Sequence, residues 1–384
     1  MTYPEIDRLL SELIASPRTD ASQDELLIQS HRLLIEAQEL ALEQPPRRPP
    51  PEDEDDETPP ETLPRRVVRP PMNYGDGIAV NWDGQTPVFK LHDTTLLGGY
   101  RACLIGLMGT KHRTELDIRN VGFRAADLNG PPSWSGMGTG WADRGYGISH
   151  GRMEHVDVVD FFGKGPRDLT WEGHGFYRTL SPLKGKTLAY RFLNFENMGG
   201  HAIYHTSSAQ PGREGNAPKP EDGGLVTIED VGIWNSDIGV KRGAYAITLT
   251  DAYARHELRR VDVEHDGSYA HQNTHVPDTY RSRALLLAER LMPGGFLVED
   301  SRFAAADPSD RTYQVAIRGP ETAVLARTRF DCAVVSVNDD YKRKPDTLLT
   351  KKLTVSECPG RAMLRWNGKD VGRFDQLRSG EWAL

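Results

Sequence analysis

The chain has 384 residues, 47 Lys and Arg against 55 Asp and Glu, and a formal net charge of −8. That sign disfavours nucleic-acid binding through a dominant basic field, and no stretch approaches the roughly 20 apolar residues of a membrane helix. A hydrophobic share of 38% leaves ample material for a core, while 37 Gly and 26 Pro point to a loop-rich or repetitive β architecture. Cys103, Cys332 and Cys358 have no CxxC spacing. This excludes a disulfide framework and a standard zinc module, and predicts reduced, mostly buried thiols.

The start, MTYPEIDRLLSEL, lacks the basic region and apolar run of a secretory signal. The expectation is a product made in a cytoplasm, leaving only by lysis or a non-standard route. Residues 4–43 read as two short helices. Ile6, Leu9, Leu10, Leu13 and Ile14 recur at helical spacing up to Pro17, and Ser22 with Glu25 makes a capping box for the second helix. Two such helices bury little alone, so residues 1–43 are expected to dock as an anchoring or assembly module.

Residues 44–71 change character. Ten prolines lie between Pro45 and Pro71, around the acidic run Glu52 to Glu57. Proline and like-charge repulsion favour an extended polyproline II spacer, on the order of 80 Å at ~3.1 Å per residue. Residues 1–43 carry nine acids and three bases, and residues 44–71 seven acids and five bases. The remaining 39 acids and 39 bases balance, so the whole charge excess sits ahead of residue 72.

From residue 72 onward a six-residue pattern recurs with apolar residues at positions one, four and six. It reads Ile118 to Phe123, Val156 to Phe161, Phe192 to Asn197, Ile228 to Ile233 and Leu258 to Val263. Weaker copies start at Val298, Leu325 and Leu353, with starts 27 to 40 residues apart. A fixed short strand with variable loops is how solenoid repeats behave. Position three holds Asn120, Asn194, Asp230 and Asp300, short polar side chains suited to a tight bend. Stacked coils would set them in a ladder about 4.8 Å apart.

This repeat, with its Asn/Asp bend and the Gly199 to Tyr204 turn GGHAIY, resembles a right-handed parallel β-helix of the pectate-lyase-like superfamily. The resemblance covers roughly residues 75–384 and implies an all-β, single-stranded solenoid behind the α-helical N-terminal module. A β-sandwich is the competing fold and predicts hairpin turns. Superfamily members include polysaccharide lyases, glycoside hydrolases, sugar epimerases and phage tailspikes, so fold alone licenses no activity.

In glycan-cleaving β-helices the working residues project from one outer sheet. The outward fifth position of the repeat holds Asp160, Glu196 and Asp262, and paired carboxylates about 5 to 9.5 Å apart are what glycoside hydrolysis requires. These three are the candidate catalytic residues, although a solvated sheet face accounts for the same alternation. Exposed aromatic rings beside acids make platforms for sugars. Candidate glycan-binding residues are Trp141, Trp171, Trp234, Glu264 and His205. His201 and His205, on an alternating strand, would lie about 13 Å apart, so no metal is assigned, and no cofactor is implied. PPSWSGMGTGWADRGYG, from Pro131 to Gly147, does not sit between a clear strand and helix, so a phosphate loop is not assigned.

Two functions remain. The first is a structural virion protein of a bacteriophage, a tailspike, tail or capsid-surface protein assembled in the host cytoplasm. It would dock to other virion proteins through residues 1–43, form a homo-oligomer (a trimer), and contact a surface polysaccharide. The second is a polysaccharide-degrading hydrolase or lyase.

Overall fold

The structure, a computed structural model, describes residues 66–68, 78–80, 88–97, 101–105, 114–124, 135–139, 148–160, 163–164, 170–171, 174–179, 182, 184–206, 223–235, 245–250, 254–265, 283–292, 294–306, 313–338 and 349–384 apart from 378. The two helices expected in residues 1–43 lie outside them, as does most of the 44–71 spacer. The strand Arg66–Val68 pairs in parallel with Val88–Leu97, so the first sheet begins inside the segment read as spacer.

The described chain is all-β. Its strands alternate in sequence between two sheets, of 13 and 11 strands. The first sheet's long strands are Val88–Leu97, Thr114–Arg124, Ile148–Val159, Thr187–Glu196, Leu225–Trp234 and Arg255–His265. Between them run second-sheet strands such as Ile203–Thr206, Tyr245–Thr250 and Arg283–Met292. Neighbours pair in parallel throughout both sheets until the C-terminal end. Hairpin-linked pairing of the sandwich kind is not what these sheets contain.

The apolar step of three within each repeat has a backbone cause. Strand alternation puts residues i and i+2 on one face, yet Leu188 and Tyr190 face inward and so do Leu193 and Phe195. Between them Phe192 has φ 54°. One left-handed residue adds a position to the strand, as a bulge does, and resets the phase so that both halves bury their apolar side chains. From Val88 onward the described first-sheet repeats do this at the same place: Asp93, Asn120, His155, Phe192, Asp230, Arg260, Asp300, Arg327 and Glu357 all have φ between 43° and 55°. The strand pairings on either side hold these nine residues in one column.

This column corrects the repeat boundaries. Tyr190 pairs with Met153 and Ile228, so the second and third copies begin at Met153 and Tyr190, not at Val156 and Phe192. Val355 pairs with Leu325, moving the last copy from Leu353. A further copy begins at Leu91, opposite Ile118. Asn120, Asp230 and Asp300 occupy the expected bend, whereas Asn194 does not.

Neighbours along the column interact. Asn120 Nδ2 donates to Asp93 Oδ1 at 2.8 Å, and the His155 and Phe192 rings stack at 4.9 Å. Arg260 makes a two-bonded fork to Asp230 at 2.5 and 2.9 Å, and Arg327 one to Asp300 at 2.6 and 2.9 Å. The Arg327 hydrogen bond and charge, against the cost of burial, hold the Asp300 carboxyl below its ordinary value. One outward position earlier runs a second row, His92, Arg119, Glu154, Arg191, Glu229, Arg259, Glu299, whose charges alternate from Arg119 onward. There Arg259 lies 3.7 Å from Glu229 and 3.3 Å from Glu299. Exposed pairs of this kind contribute about 0–1 kcal/mol each. Their larger effect is on register, because a strand displaced by one repeat sets like charges opposite each other.

Where position four carries a hydroxyl or thiol, it bonds back to the carbonyl two residues earlier. Thr94, Ser301, Thr328 and Cys358 do so toward His92, Glu299, Ala326 and Ser356 at 2.7, 2.7, 2.9 and 3.4 Å. These side chains satisfy a backbone acceptor at the bulge, which is how small polar residues fit an otherwise apolar column.

Inward side chains from both sheets form one core. At its C-terminal end Phe303, Phe330 and Phe374 stack at 5.8 and 4.8 Å. Phe374, from the one-turn helix Phe374–Leu377, takes the place a further repeat would fill. Gly360 lets the last coil approach the one before it: with φ 130°, a Cβ there would run into the Phe330 backbone. The strands Gly380–Ala383 and Lys369–Arg373 then pair antiparallel and cover the last parallel edges. Edges left open would template pairing with other chains.

Two substitutions test this geometry by denaturant unfolding. Phe192→Asn, which puts a residue that tolerates φ > 0 at an exposed bend, should raise stability by about 0.5–1 kcal/mol. Gly360→Ala should lower it by roughly 2 kcal/mol or more.

Candidate functional site

Beyond the left-handed column the first sheet presents two outward rows. The first reads Asp157, Asn194, Gly232, Asp262, Arg302, Arg329, and the second Val159, Glu196, Trp234, Glu264, Ala304, Asp331. Strand pairing therefore brings Glu196, Trp234, Glu264 and Asp262 together. Trp234 lies between the two glutamates, whose Cα atoms are about 9.6 Å apart at ~4.8 Å per strand. The indole folds back onto Gly232, two residues earlier on the same face, where a Cβ would collide with the ring. A glycine left bare on a sheet is commonly covered by an aromatic in this way.

Arg302 closes one flank. Its Nη1 donates to Asp262 Oδ1 at 3.0 Å and to Glu264 Oε2 at 2.8 Å. Burial works against the guanidinium, but Glu264 and Asp262 outweigh it and raise the Arg302 pKa above its ordinary value. The side chains of Asp262 and Glu264 keep only 17% and 23% of their exposure. Both carboxylates are thus engaged as charge-assisted acceptors, the stronger kind of hydrogen bond.

Asp160 is placed differently. It is a bend residue with φ 62°, at the end of the strand Ile148–Val159. Its backbone N–H donates to the Glu196 carbonyl at 2.9 Å, and its Oδ1 accepts from Asn197 Nδ2 at 2.8 Å. Asn197 and Asn235 have φ 57° and 54° and continue the column. This is a second corner ladder, of the amide and carboxylate type expected at position three. Asp160 is in the row after Glu196, and three strand steps from Asp262, so the three candidate acids do not line up as one column.

His205 is fully buried. It faces the core in the row of Leu249, Ala288 and Ile317, and its ring meets that of His256 edge to face at 5.5 Å. A side chain there cannot touch a glycan, which corrects its assignment as a binding residue. Trp171 lies in the short strand Thr170–Trp171, antiparallel to Gly163–Lys164, and Trp141 lies outside the described residues. His201 Nδ1 and Thr248 Oγ1 share a hydrogen bond of 2.9 Å. Among the described residues, no three His, Cys, Asp or Glu side chains gather to hold a metal ion. No described helix is long and apolar enough to cross a membrane. Cys332 and Cys358 are buried free thiols, and burial pushes Cys332 up to about 12 and raises Cys358.

No family model, curated protein or solved structure matches the chain. The site must therefore be read from its own residues. Two of them were hidden in the sequence. Asn194 is outward and beside Gly232, two places from the bend it was assigned. Arg302 stands at the fifth position of the copy that starts at Val298, and its partner Asp262 lies 40 residues earlier, a distance only the strand pairing closes. The signal that finds the platform is the Gly-x-Trp spacing of Gly232 and Trp234 on one strand face, between strands that carry Glu196 and Glu264.

Two measurements follow. Asp160→Asn, which keeps both the left-handed preference and an acceptor for Asn197, should leave unfolding stability within about 0.5 kcal/mol of wild type. Burial, with His205 alongside, also pushes the His256 imidazole well below its ordinary 6.5. The unfolded chain then binds a proton that the folded chain refuses. Stability from this group is complete above pH 6.5 and falls by about 1.4 kcal/mol per pH unit as pH drops below it. His256→Leu should flatten that part of the stability–pH curve, and an unchanged slope would show that other groups set it.

Proposed function

We propose that residues 72–384 form a right-handed parallel β-helix whose outer face binds glycan without cleaving it. In this reading the chain is a structural protein of a bacteriophage virion, at the tail or capsid surface. The observation that carries the binding reading is Arg302 clasping Asp262 and Glu264 beside the Trp234 platform. Glycosidic cleavage needs a carboxylic acid that arrives protonated, paired with one that does not. Carboxylates committed as acceptors to one guanidinium suit a sugar's hydroxyl edge better than proton transfer, while the indole suits its apolar face.

Support for the virion reading is the order of parts in the sequence: an apolar-striped segment, an acidic proline-rich spacer and a long β body. The excess negative charge lies ahead of residue 72, which makes residues 1–43 the proposed contact with other virion proteins. The antiparallel cover at the C-terminal end leaves lateral packing, as a trimer, the proposed oligomer.

The test is to expose the full-length protein to an array of bacterial surface polysaccharides and to assay each bound glycan for new reducing ends and unsaturated sugars. Binding is expected to weaken about tenfold in Trp234→Ala, with no cleavage by the wild type. Release of reducing ends or unsaturated sugars that disappears in Glu196→Gln or Asp262→Asn would replace this reading with a depolymerase.

A further inference from the structure

Two histidines meet in the core from opposite sheets. His205, of the strand Ile203–Thr206, and His256, of the strand Arg255–His265, are both fully buried, and their rings meet edge to face. Packing does not call for either. His256 shares its inward row with Val226, Phe296 and Ala323, and His205 shares its row with Leu249, Ala288 and Ile317, so apolar side chains fit both rows. An imidazole fits there uncharged, whereas a proton on either ring would put a cation into an apolar core.

The groups around the pair do not supply a counter-charge. The titratable group facing His256 is His205 itself, and the Ala254 backbone offsets only part of the effect of burial. Arg255 and Glu257, beside His256 in sequence, pair with each other at 2.6 Å on the sheet's other face. Of the other described inward side chains on the strands around the pair, Tyr190 is a phenol, uncharged in acid, and His265 stands at the opposite end of its strand. His205 also sits at an irregular point of its sheet. Ile203–Thr206 has four residues, and on one side Phe176 and Tyr177 pair with Ile203 and Tyr204, but Thr179 pairs with His205. The ladder skips Arg178 there, as a bulge does, and is locally disrupted.

We propose that the His205–His256 pair is an acid-sensitive latch: uncharged, it holds Ile203–Thr206 in the second sheet, and a proton on either ring releases that strand while the first sheet stays paired. This is independent of the glycan-binding reading. A proton accepted in the open state is refused in the closed one, so acid favours opening. For one ring that titrates near 6.5 when open, the open population rises about tenfold between pH 7.5 and pH 5.5. The short strand and its bulge determine where the chain gives way, because local opening requires less free energy than global unfolding.

Hydrogen exchange of the full-length protein tests this, with rates corrected for the intrinsic pH dependence of amide exchange. Protection of residues 203–206 should fall about tenfold from pH 7.5 to pH 5.5, while that of residues 226–233 in the first sheet changes less than about twofold. The double variant His205→Leu/His256→Leu should hold the protection of residues 203–206 constant between the two pH values. NMR of wild-type protein carrying 13C-labelled histidine supplies a readout that needs no variant. At least two of the 12 imidazoles should remain neutral in the folded protein at pH 5.5. A loss of protection in acid that persists in the double variant, or that spreads equally to residues 226–233, would overturn the latch. Titration of every imidazole above pH 5.5 in the folded wild type would overturn it as well.

Discussion

A left-handed residue in the middle of each first-sheet strand sets the phase of everything around it. A plain strand alternates faces every residue, so ten residues on one sheet cannot keep both ends of an apolar set inward across a bend. Placing Asn120, Phe192, Asp230 and their column mates at φ near 50° inserts one residue and restores the inward phase. The conformation costs about 1–2 kcal/mol for a residue other than glycine, less for Asn and Asp. Burying one more Val, Leu or Phe contributes about 1.5–3 kcal/mol. The bend is therefore favourable in each repeat even when Arg260, Arg327 or Glu357 fills it.

Parallel stacking then turns one bend into a column and the column into an address. Because each strand repeats its neighbour's phase, side chains in unrelated sequence contexts meet across about 4.8 Å. Arg260 meets Asp230, Arg327 meets Asp300, and Arg259 lies between Glu229 and Glu299. Each exposed pair is weak. Their alternation along the six positions from Arg119 to Glu299 nonetheless penalises a strand that slips by one repeat. The same addressing brings Glu196, Trp234 and Glu264 into one row, which is what creates a platform from three separate strands.

How much of this was legible in sequence follows from the period of the signal. The apolar triad at positions one, four and six is a direct image of the bulge, and it identified the all-β, repeated character of the body. It was ambiguous by two or three residues where the strand is apolar for longer than six. Phe192-Leu-Asn-Phe satisfies the pattern almost as well as Tyr190-Arg-Phe-Leu, and only pairing with Met153 and Ile228 separates them. That shift moved Asn194 off the bend and put Asp160 on a corner. His205 failed for a different reason. Polarity suggested an outward side chain, but strand phase points it into the core, where His256 shares the space. Glu196, Trp234, Asp262 and Glu264 needed only the right strand neighbours, and they have them.

The parallel, in-phase stacking of the first sheet is the claim on which both the column and the platform stand. Distances between spin labels at outward positions of one row measure it most directly. Cysteine-attached labels replacing Arg119 and Glu229 span three strand steps, and those replacing Arg119 and Glu299 span five. Backbone separations should be about 14 and 24 Å, growing by ~4.8 Å per strand. Separations that do not grow with strand number would contradict parallel stacking, and with it the row that joins Glu196, Trp234 and Glu264.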